Sequence, residues 1–180
     1  MIFTPEIVRR SSSTVLPKRQ APTPQRIRRN RFLIIGCGDC LRGDDAAAPL
    51  VAATVSSWQL ESVTSLTVDR LAPKLVFNLA SADYTIFVES CSEDSCAQTT
   101  QTSPIVADRS TFKTNSPDNE PCSCDTLLAL TQQFYDRFPQ CWVLKIPTER
   151  FGLGQPLSSV SRTGVDSALR TINRFLRTYQ

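Results

Sequence analysis

Residues 32–49 read FLIIGCGDCLRGDDAAAP, and the rest of the chain is understood from this stretch outward. The apolar run FLII (32–35), rich in branched side chains and closed by glycine, has the pattern of a buried strand. The next ten residues hold three glycines, two cysteines, three aspartates and one arginine, and small residues leading to Pro49 then open a helix. Gly36 and Gly38 allow the backbone to turn tightly there. Carboxylates favour helix N-termini, so Asp44 and Asp45 are expected to cap that helix. A cap needs only one oxygen, however. Two adjacent carboxylates with Asp39 nearby point further, to a site that meets a cation or an amide, since hard oxygen ligands suit divalent metals.

Beyond the turn the chain alternates between short apolar runs and helical patterns. VTSLTV (63–68) predicts a strand and PKLVFNLA (73–80) a short helix with Pro73 at its start. YTIFVE (84–89) predicts a central parallel strand ended by Glu89. Residues 90–123 are polar and are expected to form one long loop. CDTLLALTQQFYDRF (124–138) carries Leu127, Leu128, Phe134, Tyr135 and Phe138 and predicts a helix. CWVLKI (141–146) predicts a strand, and the last twenty residues place Val165, Leu169, Ile172, Phe175 and Leu176 on one helical face. This order implies one α/β domain over residues 32–180, a mostly parallel open sheet between two helical layers. In such folds ligands sit at the carboxyl ends of the strands, where strand order reverses. Asp45 and Glu89 both fall after predicted strands and are expected to meet in that crevice.

Composition narrows the chemistry. The chain has 180 residues, 41% of them hydrophobic and 21% charged, and no apolar run approaches the roughly 20 residues of a membrane span. Residues 1–31 hold eight Arg or Lys and one acid, a charge of +7, so the remainder carries −4 against the chain's net +3. This basic leader, rich in Ser, Pro and Thr, is expected to be disordered. It lacks the apolar centre of a signal peptide, whereas an organellar transit peptide fits its Arg and Ser content. A cytoplasmic monomer that binds neither membrane nor nucleic acid is the expectation, with organellar targeting as the alternative. Seven cysteines and no histidine argue for a reducing compartment and against a fully paired disulfide framework. Without histidine, the commonest general base and metal ligand is missing.

Two common readings of the turn fail on chemistry. A dinucleotide fingerprint needs glycine where Leu41 stands, and the three aspartates would repel a pyrophosphate. The pair Cys37-x-x-Cys40 has the setting of a redox motif, but neighbouring carboxylates should raise its thiol pKa values rather than lower them. Zinc held by cysteines is conceivable, although the C-x4-C and C-x-C spacings of Cys91, Cys96, Cys122 and Cys124 are not those of a zinc ribbon.

The stretch GCGDCLRGDDAAAP resembles the opening signature G-x-G-N-x-L-x-x-D-D-G-x-G-P of the nickel–iron hydrogenase maturation endopeptidases. Gly36, Gly38, Leu41, Asp44, Asp45 and Pro49 match it; Asp39 replaces Asn, and Ala46 and Ala48 replace Gly. ADYTIFVES is similar to the family's strand ending in Val-Asp-Ala, with Glu89 at the aspartate. Residues 127–159 are similar to its later helix, strand and F-x-L-G-x-x-L-S loop. The resemblance implies an α/β endopeptidase that removes a C-terminal extension from a hydrogenase large-subunit precursor after nickel insertion. The nickel comes with the substrate, and no permanent cofactor is implied. Of the family's three nickel-contacting residues, two map onto Asp45 and Glu89, the expected catalytic pair. The third, a histidine, has no counterpart; Glu120, Cys122 and Cys124 lie where a replacement would stand. Gly36, Gly38, Asp39, Leu41 and Asp44 are expected to shape the turn. The alternatives are a degenerate homologue that binds the precursor without cutting it, and a thiol or zinc protein.

Overall fold

The computed structural model describes residues 29–92, 99–105 and 122–180. Among the described residues five strands, β1 (Phe32–Cys37), β2 (Val63–Val68), β3 (Tyr84–Ser92), β4 (Gln101–Ile105) and β5 (Gln140–Thr148), form one sheet in the order β2-β1-β3-β5-β4. All neighbours run parallel except the edge strand β4, which is antiparallel to β5. Four described helices cover the sheet: α1 (Ala47–Ser57), α2 (Val76–Ser81), α3 (Cys124–Tyr135) and α4 (Ser159–Tyr179).

Side chains alternate across each strand, so a sheet covered on both sides buries both sets. Phe32 and Ile34 of β1 pack with α1 and α4 through Val51, Val55, Val165, Ala168 and Ile172. Leu33 and Ile35 face the other way, onto Leu75, Leu79, Leu127 and Leu128 beneath α2 and α3. All four of these β1 residues are buried, each contributing about 1.5–3 kcal/mol of apolar burial. The result is the expected three-layer α/β domain. The chain passes from β1 to β2 on one side and then to β3 on the other, so strand order reverses between β1 and β3. Gly36 lies where α1 presses on that strand: a side chain there would run into the Ala48 carbonyl and the Ala52 side chain.

Several expectations change in detail. β3 continues to Ser92, so Glu89 lies inside the strand rather than after it. The expected long loop contains β4, a polar segment (QTSPI) with a single large apolar residue. An edge strand needs little apolar character and tolerates Pro104 because only one side of its backbone is paired. The helix expected over 124–138 ends at Tyr135; Phe134 and Tyr135 are exposed, while Leu127 and Leu128 carry the packing. Of the leader, only residues 29–31 are described: Asn30 donates a hydrogen bond to the Tyr179 carbonyl at 2.7 Å, and Arg31 pairs with Asp83 at 3.7 Å. Residues 1–28 lie outside the described part. No described helix is long and apolar enough to cross a membrane.

Candidate functional site

The turn after β1 divides its two adjacent carboxylates between different tasks. Asp44 is fully buried. Its Oδ2 accepts hydrogen bonds from the backbone N–H groups of Glu149 (2.8 Å) and Arg150 (3.0 Å), and Oδ1 accepts from Ser158 N–H at 2.6 Å. Burial alone would push its carboxyl pKa up, but these donors outweigh it and hold it at about 2. Asp44 therefore does not cap the helix that follows it. The 3-10 turn Gly43–Ala46 and α1 both lack a side-chain cap. Instead the carboxylate reaches the entrance of α4, whose N-cap is Ser158, and pins the loop between β5 and α4. The distant partners have the N–H groups to spare; the local helix start is served by backbone bonds from Asp45 to Arg42 and from Arg42 to Asp39.

Asp45 is half-buried and turns the other way. Its Oδ2 accepts the Asp39 backbone N–H at 2.9 Å, while Asp39 Oδ1 accepts Leu41 N–H at 2.8 Å and tightens the turn. Gly38, with φ of 157°, makes this possible, since a Cβ there would strike the Asp45 carbonyl. Asp45 Oδ1 has no hydrogen-bond partner among the described residues.

Glu89 comes to the same crevice along β3. In the sheet it stands beside Cys37 of β1 on one side and Lys145 of β5 on the other. Its Oε1 accepts a hydrogen bond from the Cys124 thiol at 3.3 Å, at the first turn of α3. Cys37 reports how the acids converge. Burial first, then Glu89, push its thiol pKa up, with Asp45 and Asp69 adding to the rise and a hydrogen bond from the Leu71 backbone opposing it. The Cys124 thiol is likewise pushed up, by burial and by Glu89.

These observations settle part of the thiol reading. Carboxylates do raise the Cys37 thiol, the opposite of what a redox pair needs. Among the described residues Cys37, Cys40, Cys122, Cys124 and Cys141 are free, in keeping with the absence of a fully paired framework, but Cys91 is disulfide-bonded, which the expected reducing compartment does not favour. Among the described residues no group of three or more Cys, Asp and Glu is arranged to hold a metal ion. Of the three replacements for the missing histidine, Cys124 contacts Glu89. Cys122 packs against the α2/α3 core and is shifted up by burial alone, and Glu120 lies outside the described residues. Leu41 does not support the turn from within: it is 68% exposed.

Comparison of the whole domain with solved structures places it among known shapes. It superimposes on the NiFe hydrogenase maturation protease HycI from Thermococcus kodakarensis with a TM-score of 0.62 and 17% identity, covering 82% of this chain and 93% of that one. The chain has the fold of the hydrogenase maturation proteases. Hydrogenase maturating endopeptidase HybD from E. coli matches with a TM-score of 0.60 at 17% identity, over 82% of this chain and 93% of the other. HybD from T. kodakarensis gives 0.60 at 16%, over 81% and 99%. No family profile matches the sequence, and no curated protein matches it significantly.

The sequence placed Cys37 among carboxylates but gave no sign of Asp69 or Lys145 beside them. Strand register sets Glu89 between Cys37 and Lys145, and Asp69 follows the end of β2, whose Val68 stands opposite Cys37. Phe151 and Leu153, the first two apolar residues of the F-x-L-G-x-x-L-S loop, are exposed beside the turn, where the Gly154 N–H bonds the Leu41 carbonyl.

Proposed function

We propose that this protein is an endopeptidase that removes a C-terminal extension from a nickel-loaded hydrogenase large-subunit precursor. The observation that carries the reading is the meeting of Asp45 and Glu89 around Cys37, at the β1/β3 reversal, in a fold that known hydrogenase maturation proteases share. Peptide hydrolysis needs an activated water and a polarised carbonyl, and a divalent ion supplies both as a Lewis acid. Because that ion arrives with the substrate, the protein's part is to touch it and to place the scissile bond. Asp45 is suited to this: one oxygen is fixed by the Asp39 N–H and the other has no described partner. Glu89 is the second contact, held through its other oxygen by the Cys124 thiol. In this reading Cys124 stands in for the histidine, the thiol sulfur being already within reach of Glu89.

A second reading is favoured by that same thiol bond. Glu89 is satisfied by Cys124 without any ion, which suits a homologue that binds the precursor and leaves it whole. Mass spectrometry of a cognate nickel-loaded precursor, incubated with the wild type and with Asp45→Ala, separates the two. Loss of a short C-terminal peptide with wild type alone is the expected result. An intact precursor in both samples, with nickel confirmed in place, would favour the non-cutting homologue.

A further inference from the structure

Beside the carboxylates the surface is unexpectedly apolar. Leu41 is 68% exposed, Leu153 78% and Phe151 39%. These side chains do not hang from a loose loop. The Gly154 N–H bonds the Leu41 carbonyl at 2.8 Å, and Asp44 N–H bonds the Arg150 carbonyl at 2.7 Å. The Asp44 carboxylate takes the N–H groups of Glu149, Arg150 and Ser158 on either side of the apolar pair. Gly43, at φ 53°, lies so close to this loop that a Cβ would meet the Arg150 carbonyl at 2.6 Å. A fully buried carboxylate thus holds the loop that presents Phe151 and Leu153 to water, and backbone bonds tie Leu41 to the same loop. Ordering such a surface in advance lowers the entropic cost of binding something to it, and clustered exposed apolar side chains mark interaction sites.

We propose that the rim formed by Leu41, Phe151 and Leu153 is the docking surface for an apolar segment of the metal-bearing precursor, the segment that flanks its metal. The proposal rests on the protease fold's substrate reading above and adds which face receives it. Charge selects the occupant. Asp39, Asp45, Asp69 and Glu89 stand in or beside the crevice, complementary to a partner whose positive charge is concentrated in one cation. The chain's own leader is also basic, but it joins the domain through Asn30 and Arg31, tied to Tyr179 and Asp83 just before β1, at the end of that strand opposite the rim. An apolar segment next to a bound cation satisfies both the rim and the acids.

The test uses the full chain and a cognate nickel-loaded large-subunit precursor. Leu41→Ser and Leu153→Ser alter exposed positions, and melting temperatures equal to wild type verify that they fold. The double variant should bind the precursor roughly tenfold more weakly or worse, the loss typical of interface anchors, with turnover at saturating precursor unchanged. A photo-crosslinker at position 153 should attach to the precursor near its metal site. Normal cutting by the double variant with unchanged affinity overturns the docking role and leaves the protease reading standing. A precursor bound through the rim but never cut, with wild type as with Asp45→Asn, does the reverse. Crosslinks confined to residues 1–28 of the same chain overturn the choice of occupant.

Discussion

Asp44 and Asp45 are neighbours in sequence and opposites in structure. Asp44 is sealed from water and its two oxygens take three backbone N–H groups from a loop more than a hundred residues away. Asp45 is half-exposed, takes one local N–H on Oδ2, and leaves Oδ1 without a hydrogen-bond partner among the described residues. The difference shows that adjacent acids at a strand-to-helix turn can divide their work: one carboxylate ties down a distant loop, and the other, in the proposed function, faces the substrate. If this is right, changing Asp45 should damage activity with little effect on folding, and changing Asp44 should do the opposite first.

The largest effect is expected from Asp45→Asn. Cleavage of the precursor should fall by on the order of a thousandfold, the usual scale for losing a group that assists proton transfer or polarisation. The urea midpoint should move little, because Asn keeps an oxygen for the Asp39 N–H. A matching collapse of stability would break the comparison, since Asp45 would then be another structural acid.

Asp44→Asn comes next. Its amide offers one oxygen where the carboxylate offers two, so buried N–H groups lose their acceptor and the side-chain NH2 meets other donors. A loss of about 3 kcal/mol is expected, within the range for breaking a buried charged network, read as the shift of the denaturation curve. The same contrast has a pH form. The folded pKa of Asp44, about 2, lies below its unfolded value, so its contribution is fully present above about pH 4 and is lost as pH falls toward 2. Wild type should lose on the order of 2 kcal/mol in that window that Asp44→Asn does not lose. Parallel acid curves for the two proteins would mean that the bonds to Asp44 do not hold its proton off.

Much of the fold could be read before any coordinates, and the reason is local. β1, β3 and β5 carry apolar runs, β2 is rich in β-branched residues, and α4 repeats its apolar face, so pattern alone finds them. β4 could not be found that way: its membership is decided by backbone pairing with β5, and its side chains are mostly exposed. The site divides along the same line. Asp45 and Glu89 stood out because carboxylates at strand ends in an α/β sheet have a predictable meeting place. Asp44 was misread as a cap for its own helix because its true partners are main-chain groups, which leave no mark in a sequence. Cys124 was one of three equal candidates until α3 brought its thiol to Glu89.

The smallest expected effect is also the one that sharpens the comparison most. Cys124→Ala removes the thiol bond to Glu89 Oε1 and nothing else that is charged. A thiol is a weak donor and Glu89 is only half-buried, so stability should change by about 1 kcal/mol or less. Cleavage should nevertheless drop by roughly tenfold or more, because a small displacement of a contacting oxygen is costly when geometry governs rate. Cys124→Ser, which keeps a donor at the same place, should recover part of the loss in Glu89 placement but none that depends on sulfur itself. Full recovery by serine would assign Cys124 to positioning alone; recovery only by the original cysteine would make the sulfur a direct contact of the substrate's ion. If alanine leaves the rate untouched, the third contact is elsewhere, and the crevice works with the two carboxylates that the β1/β3 reversal brings together.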